Sequence, residues 1–121
     1  MKYMLLIYNR PGFSESLSDS ERKDLFGEVD VIMAELAESG EFVGGQGLAD
    51  QSTARTVRSR AGQPAVTDGP FIESKEQFCG YLMVDCESLQ RAVDIASRWP
   101  DVRMGGALEV RAIMDESGAE M

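Results

Sequence analysis

The sequence predicts an α+β domain with a ferredoxin-like sandwich, in the order β-α-β-β-α-β. Residues 2–8 and 78–85 are apolar at nearly every position, which is typical of strands covered on both sides. Two other segments, after Ser18 and residues 87–99, carry apolar residues at helical spacing. Two β-α-β halves of this kind give one antiparallel sheet with both helices on one face.

Length and charge narrow the class of protein further. A chain of 121 residues suits one domain, which we expect at residues 1–115, followed by a polar tail at 116–121 that frays. The first apolar run is too short for a signal peptide and no run spans a bilayer, so we expect a cytoplasmic protein with no membrane partner. The net charge of −9 argues against binding nucleic acid, since phosphates would be repelled.

The first helix has clear boundaries in the sequence. Residues 10–17 are predicted to form a loop, and Ser18 and Glu21 then match a capping box. Gly40 is well placed to end the helix in a left-handed conformation. The apolar stripe between them consists of Leu25, Phe26, Val29, Ile32, Met33, Leu36 and Ala37.

A glycine-rich segment follows the first helix. Residues 41–48 start as a short strand and then contain Gly44, Gly45 and Gly47. A phosphate-binding loop would need a helix next, but residues 53–60 are β-prone and no Walker lysine follows. We therefore predict a hairpin whose glycines adopt positive φ angles.

The second half repeats the pattern. Residues 61–64 form a turn, and residues 65–67 form a short extended piece. The strand at 78–85 leads into the helix at 87–99, which Pro100 should end. Residues 107–113, in which apolar and charged side chains alternate, are the last strand.

Apolar side chains on both faces of two strands predict a homodimer. In the first strand Tyr3, Leu5 and Ile7 alternate with Met4, Leu6 and Tyr8; in the second, Phe78, Leu82 and Val84 alternate with Cys79, Tyr81 and Met83. Helices cover only one face of such a sheet. Covering six further side chains would contribute roughly 10 kcal/mol before association costs. A second copy, packed sheet to sheet with two-fold symmetry, is the simplest cover.

Several chemistries lack the residues they need. The chain has no histidine, so a histidine base or metal ligand is unavailable. Its two cysteines are too few for a disulfide framework or a structural zinc site, and no acidic loop has calcium-binding spacing. We expect no metal or cofactor and assign no catalytic residue.

The run Val-Thr-Asp-Gly-Pro-Phe-Ile-Glu-Ser-Lys-Glu-Gln-Phe-Cys-Gly-Tyr at residues 66–81 resembles the signature of the YCII-related family, in its Asp-Gly-Pro-Phe branch. Residues 1–8, 44–48 and 106–111 are similar to that branch too. The resemblance implies a dimeric α+β barrel of ferredoxin-like protomers. It also implies an association with extracytoplasmic-function sigma factors. Some members of the branch are encoded beside such a factor or fused to it.

The chemistry of better-understood relatives does not carry over. They are thought to use a His-Asp pair in a cleft, and this chain has no histidine. Many relatives have a histidine near the position of Met104. The resemblance therefore implies no specific activity for this chain.

Five polar residues are candidates for a ligand site, either between the first helix and the sheet or at the dimer seam. They are Tyr8, Asp68, Lys75, Tyr81 and Arg111. Each has a structural alternative: Asp68 within a turn made with Gly69 and Pro70, Lys75 in surface ion pairs, the tyrosines in the core, and Arg111 in a cross-strand pair.

Two functions compete on these grounds. The first is a non-enzymatic module that binds a small molecule or regulates a protein partner, which the missing histidine favours. The second is an enzyme acting on a small aromatic or oxo-acid substrate with Asp68 or a tyrosine as the acid-base group. The second function predicts a buried carboxylate in a concave pocket.

Overall fold

A computed structural model describes residues 1–115, and the tail for which fraying is predicted lies outside them. The elements are β1 (Lys2–Asn9), α1 (Phe13–Ser16), α2 (Asp19–Ser39), β2 (Phe42–Gly47), a 3₁₀ turn (Gln51–Thr53), β3 (Arg55–Arg60), β4 (Gln63–Asp68), β5 (Gln77–Asp85), α3 (Leu89–Ser97), α4 (Pro100–Arg103) and β6 (Ala107–Ala112). Within residues 1–115, no helix is long and apolar enough to cross a membrane.

The main sheet has four strands in the order β2-β5-β1-β6, and each neighbouring pair is antiparallel. This arrangement confirms the predicted α+β class and is consistent with a ferredoxin-like fold. One sheet face packs against α2 and α3. The core residues there are Tyr3, Leu5, Leu82 and Val84 from the sheet and Ile32, Leu36, Ala92 and Ile95 from the helices.

The boundaries of α2 agree with the sequence. The Ser18 hydroxyl accepts a hydrogen bond from the Glu21 amide at 3.1 Å, and the Glu21 carboxylate accepts one from the Ser18 amide at 2.9 Å. Gly40 caps the other end with a φ of 81°. Local chemistry therefore determines where this helix begins and ends.

Two helix predictions need correction. The predicted loop at residues 10–17 contains α1, and the second helix begins at Leu89 rather than at residue 87, because the Ser88 hydroxyl caps the Arg91 amide. This helix ends at Ser97, before Pro100, which is instead the first residue of α4. Proline suits that position because its missing N–H would have no partner in the first turn of a helix.

The glycine-rich segment is not a hairpin with positive φ angles. It forms β2, an edge strand paired with β5, and none of its glycines has a positive φ angle. A Cβ atom added at Gly45 would lie 2.7 Å from the Tyr81 carbonyl oxygen. Glycine is needed there because the two backbones approach closely.

Strands β3 and β4 form a separate two-stranded hairpin, in which the β-prone residues 53–60 pair with the short extended piece predicted at 65–67 rather than with the glycine-rich segment. It carries an exposed cross-strand pair, Val57 and Val66, and an ion pair between Arg55 and Asp68. The Asp-Gly-Pro-Phe run begins at its last residue.

The sheet face turned away from the helices is apolar along its two central strands. Met4, Leu6 and Tyr8 alternate with the buried Tyr3 and Leu5, so they point to this outer face. Their β5 partners are Met83, Tyr81 and Phe78. A bulge opposite Ile7 and Tyr8 moves Phe78 to this face, which corrects the predicted alternation of β5.

Candidate functional site

A cavity of about 630 Å³ lies between α2, the segment that carries α1, and the adjoining ends of β1, β2 and β5. Its volume is within the range of small-molecule sites. The apolar part of its lining includes Ile7, Leu25, Phe26, Val29, Met33, Leu82 and Trp99. The polar part includes Arg10, Glu15, Arg22, Asp50, Gln77 and Asp101.

Two arginines hold the α1 segment at the mouth of this cavity. Arg10 donates to the Met104 carbonyl at 3.3 Å and to the Ser16 hydroxyl at 3.2 Å. Arg22 donates to the carbonyls of Ser14 and Leu17 at 2.9 and 3.2 Å. These bonds pre-form one wall of the cavity, which lowers the cost of ordering it around a ligand.

A buried polar pair lies at the end of β1. Asn9 is fully buried and Asp101 is 7% exposed, and the Asn9 amide nitrogen donates to Asp101 Oδ2 at 3.0 Å. Asn9 Oδ1 accepts the Arg10 backbone N–H at 2.9 Å, which fixes the orientation of the amide. Because Asp101 also lines the cavity, this pair places a carboxylate in a largely apolar pocket.

Gly106 leaves room for the polar pair. Its N–H donates to the Asp101 carbonyl at 2.8 Å. A Cβ atom at this position would lie 2.6 Å from the Tyr8 carbonyl oxygen and 2.8 Å from Asn9 Nδ2. No side chain fits without moving the backbone, so glycine is required here.

Cys79 contributes a thiol to the cavity lining. Burial raises the pKa of this thiol, and the nearby carboxylates of Asp101 and Asp50 raise it further, against the effect of a backbone hydrogen bond at Asn9. The thiol therefore stays protonated near neutral pH, and a protonated thiol is a poor nucleophile.

Of the five predicted site residues, only Tyr81 is among those that line this cavity, so they do not form a polar cluster there. Tyr8, Tyr81 and Arg111 point to the outer face of the sheet, where Tyr8 contacts Phe78 with ring centroids 5.7 Å apart. Lys75 is exposed in the loop between β4 and β5. A cavity does occupy one of the two expected places, between the first long helix and the sheet, but with other polar side chains.

Asp68 is the clearest departure from the expected site. Its side chain is 90% exposed and forms an ion pair with Arg55 at 3.1 Å. An enzyme using Asp68 would need this carboxylate buried in a pocket. The buried carboxylate beside the cavity is that of Asp101, which the sequence reasoning missed.

The sequence held a signal for Asn9 but little for Asp101. Asn9 continues the buried alternation of Tyr3, Leu5 and Ile7, so a polar residue falls at a core-facing position. Asp101 follows Pro100, and this pair of residues is typical of an exposed helix end. Within residues 1–115, no group of three or more Cys, Asp or Glu side chains is placed to hold a metal ion.

A comparison with known proteins identifies the family of this chain. The model of the YCII-related domain matches residues 1–117. The chain belongs to the YCII-related family. The chain is similar to the uncharacterised protein R00369 of Rhizobium meliloti (strain 1021), to which it is 32% identical over 114 residues. The match covers 93% of this chain and 92% of the relative.

Proposed function

We propose that this YCII-related protein, as a member of the Asp-Gly-Pro-Phe branch, is a non-enzymatic module that binds a small molecule between α2 and the sheet. The observation that carries the proposal is the cavity of about 630 Å³, whose lining is mostly apolar and includes several polar and charged side chains. That combination is typical of ligand sites, in which apolar contacts supply affinity and polar groups fix orientation.

The groups around the cavity favour binding over catalysis. The chain offers no histidine, and burial raises the pKa of the Cys79 thiol. Asp101 Oδ2 already accepts a hydrogen bond from Asn9. Efficient acid-base catalysis needs a group that titrates near the working pH, and covalent catalysis needs an activated nucleophile.

The second candidate function is an enzyme acting on a small aromatic or oxo-acid substrate. One observation favours it: Asp101 supplies the buried carboxylate in a concave pocket that an acid-base mechanism needs. If a ligand of the cavity is recovered chemically changed by the wild-type protein and unchanged by Asp101→Asn, the enzymatic function replaces the binding function.

We also propose that the protein works as a homodimer through the outer face of the sheet, which would give the dimeric α+β barrel. The apolar centre of this face consists of Met4, Leu6, Tyr8, Phe78, Tyr81 and Met83. Glu109 and Arg111 are exposed on the neighbouring β6, and Gln46 lies at the other edge. An apolar centre with a polar rim is the usual anatomy of an interface.

Two further expectations belong to this proposal. A cytoplasmic location rests on the short first apolar run of the sequence. A sigma-factor partner rests on the resemblance to the Asp-Gly-Pro-Phe branch. Both stay predictions.

A pair of matched variants on α2 tests the binding function. Val29 lines the cavity, whereas Val31 is 56% exposed on the same helix and is not part of the lining. Val29→Phe should fill the cavity, and Val31→Phe should leave it open. Trp99, the single tryptophan, also lines the cavity and reports binding by its fluorescence.

In a titration with small aromatic and aliphatic fragments, we expect binding to the wild type and to Val31→Phe. For Val29→Phe we expect dissociation constants at least ~10-fold higher, a loss of about 1.4 kcal/mol. Fragments that bind all three proteins equally, or bind none of them, would refute the proposed site.

A further inference from the structure

The carboxylate of Asp101 is buried without a cation. None of the ion pairs among residues 1–115 includes it, and its one side-chain hydrogen bond comes from the neutral amide of Asn9. A carboxylate has about four acceptor sites, so most of this capacity is unused. Among residues 1–115 no fully buried side-chain oxygen lacks a hydrogen-bond partner, so the second Asp101 oxygen stays accessible to a ligand.

The arginines at the mouth of the cavity are not free to neutralise it. Arg10 donates to Met104 and Ser16, and Arg22 donates to Asp19 and to the carbonyls of Ser14 and Leu17. Moving either guanidinium to Asp101 would release the wall that it holds. The compensating charge would therefore have to come from outside the chain.

The remainder of the cavity and of the protein favours a cation. Glu15 and Asp50 are the other acidic residues of the lining, and the protein carries a net charge of −9. The field of such a protein attracts cations and repels anions. Most of the lining around Asp101 is apolar, which suits a molecule with a hydrophobic body.

We propose that the ligand of this cavity is a small, largely apolar molecule with a protonated amine, and that the amine binds Asp101. This inference rests on the proposed binding function and specifies its ligand class. The body of the ligand packs against α2 and the sheet, and the amine donates to the Asp101 oxygen that Asn9 does not occupy. Hydrogen bonds to charged groups contribute about 1.5–3 kcal/mol, which corresponds to roughly 10–100-fold in affinity.

Three probes of similar shape separate charge from hydrophobic fit: 2-phenylethylamine, 2-phenylethanol and 3-phenylpropionate. At neutral pH they present a cation, a neutral hydroxyl and an anion. Titrations followed by Trp99 fluorescence should give the amine at least ~10-fold tighter binding to the wild type than either other probe.

Variants then locate the source of the preference. Asp101→Asn keeps the shape of the side chain and should reduce the affinity for the amine to that for the alcohol. Asp24→Asn, at an exposed position of α2 outside the cavity lining, is the matched control and should keep the preference for the amine.

The outcomes distinguish this inference from the proposed function. If the alcohol binds the wild type as tightly as the amine does, the cavity binds small molecules but the amine assignment is wrong. If Asp101→Asn keeps the preference, another group recognises the amine and the assignment to Asp101 is wrong. If none of the probes binds the wild type, both the amine assignment and the binding function fail. The probe series uses the wild-type protein, so the test does not depend on the folding of a variant.

Discussion

Replacing Gly106 by alanine tests how tightly the polar pair at the end of β1 is packed. The added Cβ atom would lie 2.6 Å from the Tyr8 carbonyl oxygen, 2.8 Å from Asn9 Nδ2 and 3.0 Å from the Asp101 carbonyl oxygen. Two of these atoms are backbone, so relief requires a shift of β1 or of α4. Overpacking of this kind costs about 1–3 kcal/mol.

The same substitution also disturbs the hydrogen bond between Asn9 and Asp101. A hydrogen bond to a charged group contributes about 1.5–3 kcal/mol, and the disturbed carboxylate stays buried. Together the two effects predict that Gly106→Ala lowers the free energy of unfolding by about 3–5 kcal/mol.

Urea unfolding followed by Trp99 fluorescence measures this change. All variants are compared at the same protein concentration, because the stability of the proposed dimer would depend on that concentration. Gly27→Ala is the matched control. A Cβ atom at Gly27 meets nothing within 4 Å, and alanine should stabilise α2 by about 0.5–1 kcal/mol. A loss below about 1 kcal/mol for Gly106→Ala would show that the backbone yields easily, and would refute the reasoning.

Two further predictions concern stability in acid and assembly. The Arg91 guanidinium holds the pKa of Glu41 at about 2, against an ordinary value of 4.5, through hydrogen bonds of 2.8 and 2.9 Å. Between pH 4.5 and 2 the unfolded chain therefore binds more protons than the folded protein does. The pair's contribution of about 1–3 kcal/mol to the free energy of unfolding should be present above pH 4.5 and should be lost as the pH falls from 4.5 to 2. Urea titrations across that range should show a smaller acid-induced loss for Glu41→Gln than for the wild type, and equal losses would contradict the assignment. Leu6→Asp places a charge at the centre of the outer face and should raise the dimer dissociation constant at least ~100-fold, whereas Leu89→Asp, at an exposed helix start, should not. Light scattering after gel filtration measures the oligomeric state of the wild type and of both variants. The proposed interface would be contradicted if the wild type were monomeric, or if Leu6→Asp formed a dimer of unchanged affinity.

Elements with local signals were predictable from the sequence. The capping box at Ser18 and Glu21 and the stop at Gly40 depend on residues a few positions apart, and the structure has both. The apolar alternation of β1 likewise predicts a strand covered on both faces. Such patterns establish the α+β class without any knowledge of distant contacts.

Features that depend on close approach or on a bulge were not predictable. Glycine at position 45 looked like a turn residue, although its role is to let β2 approach the Tyr81 carbonyl. The bulge in β5 moves Phe78 to the outer face, and nothing in the alternation of that strand indicates it. Period-two patterns cannot reveal an inserted residue without the partner strand.

The candidate site shows the same limit. Asn9 and Asp101 are 92 residues apart in the chain, and only the fold brings them together beside the cavity. Asp68 was a candidate site residue from its sequence motif, yet it is exposed at the end of a hairpin. The Asp-Gly-Pro-Phe part of the motif therefore lies outside the cavity lining, whereas the end of the same run, residues 77–81, lines the cavity.

The most direct test of the central claim is a titration of isotope-labelled protein with the tightest-binding fragment, followed by amide chemical shifts. The account predicts that the largest shifts lie around the cavity, at Val29 on α2, Gly47 on β2 and Asp101 on α4. Shifts confined to the outer face of the sheet or to the β3–β4 hairpin would contradict it.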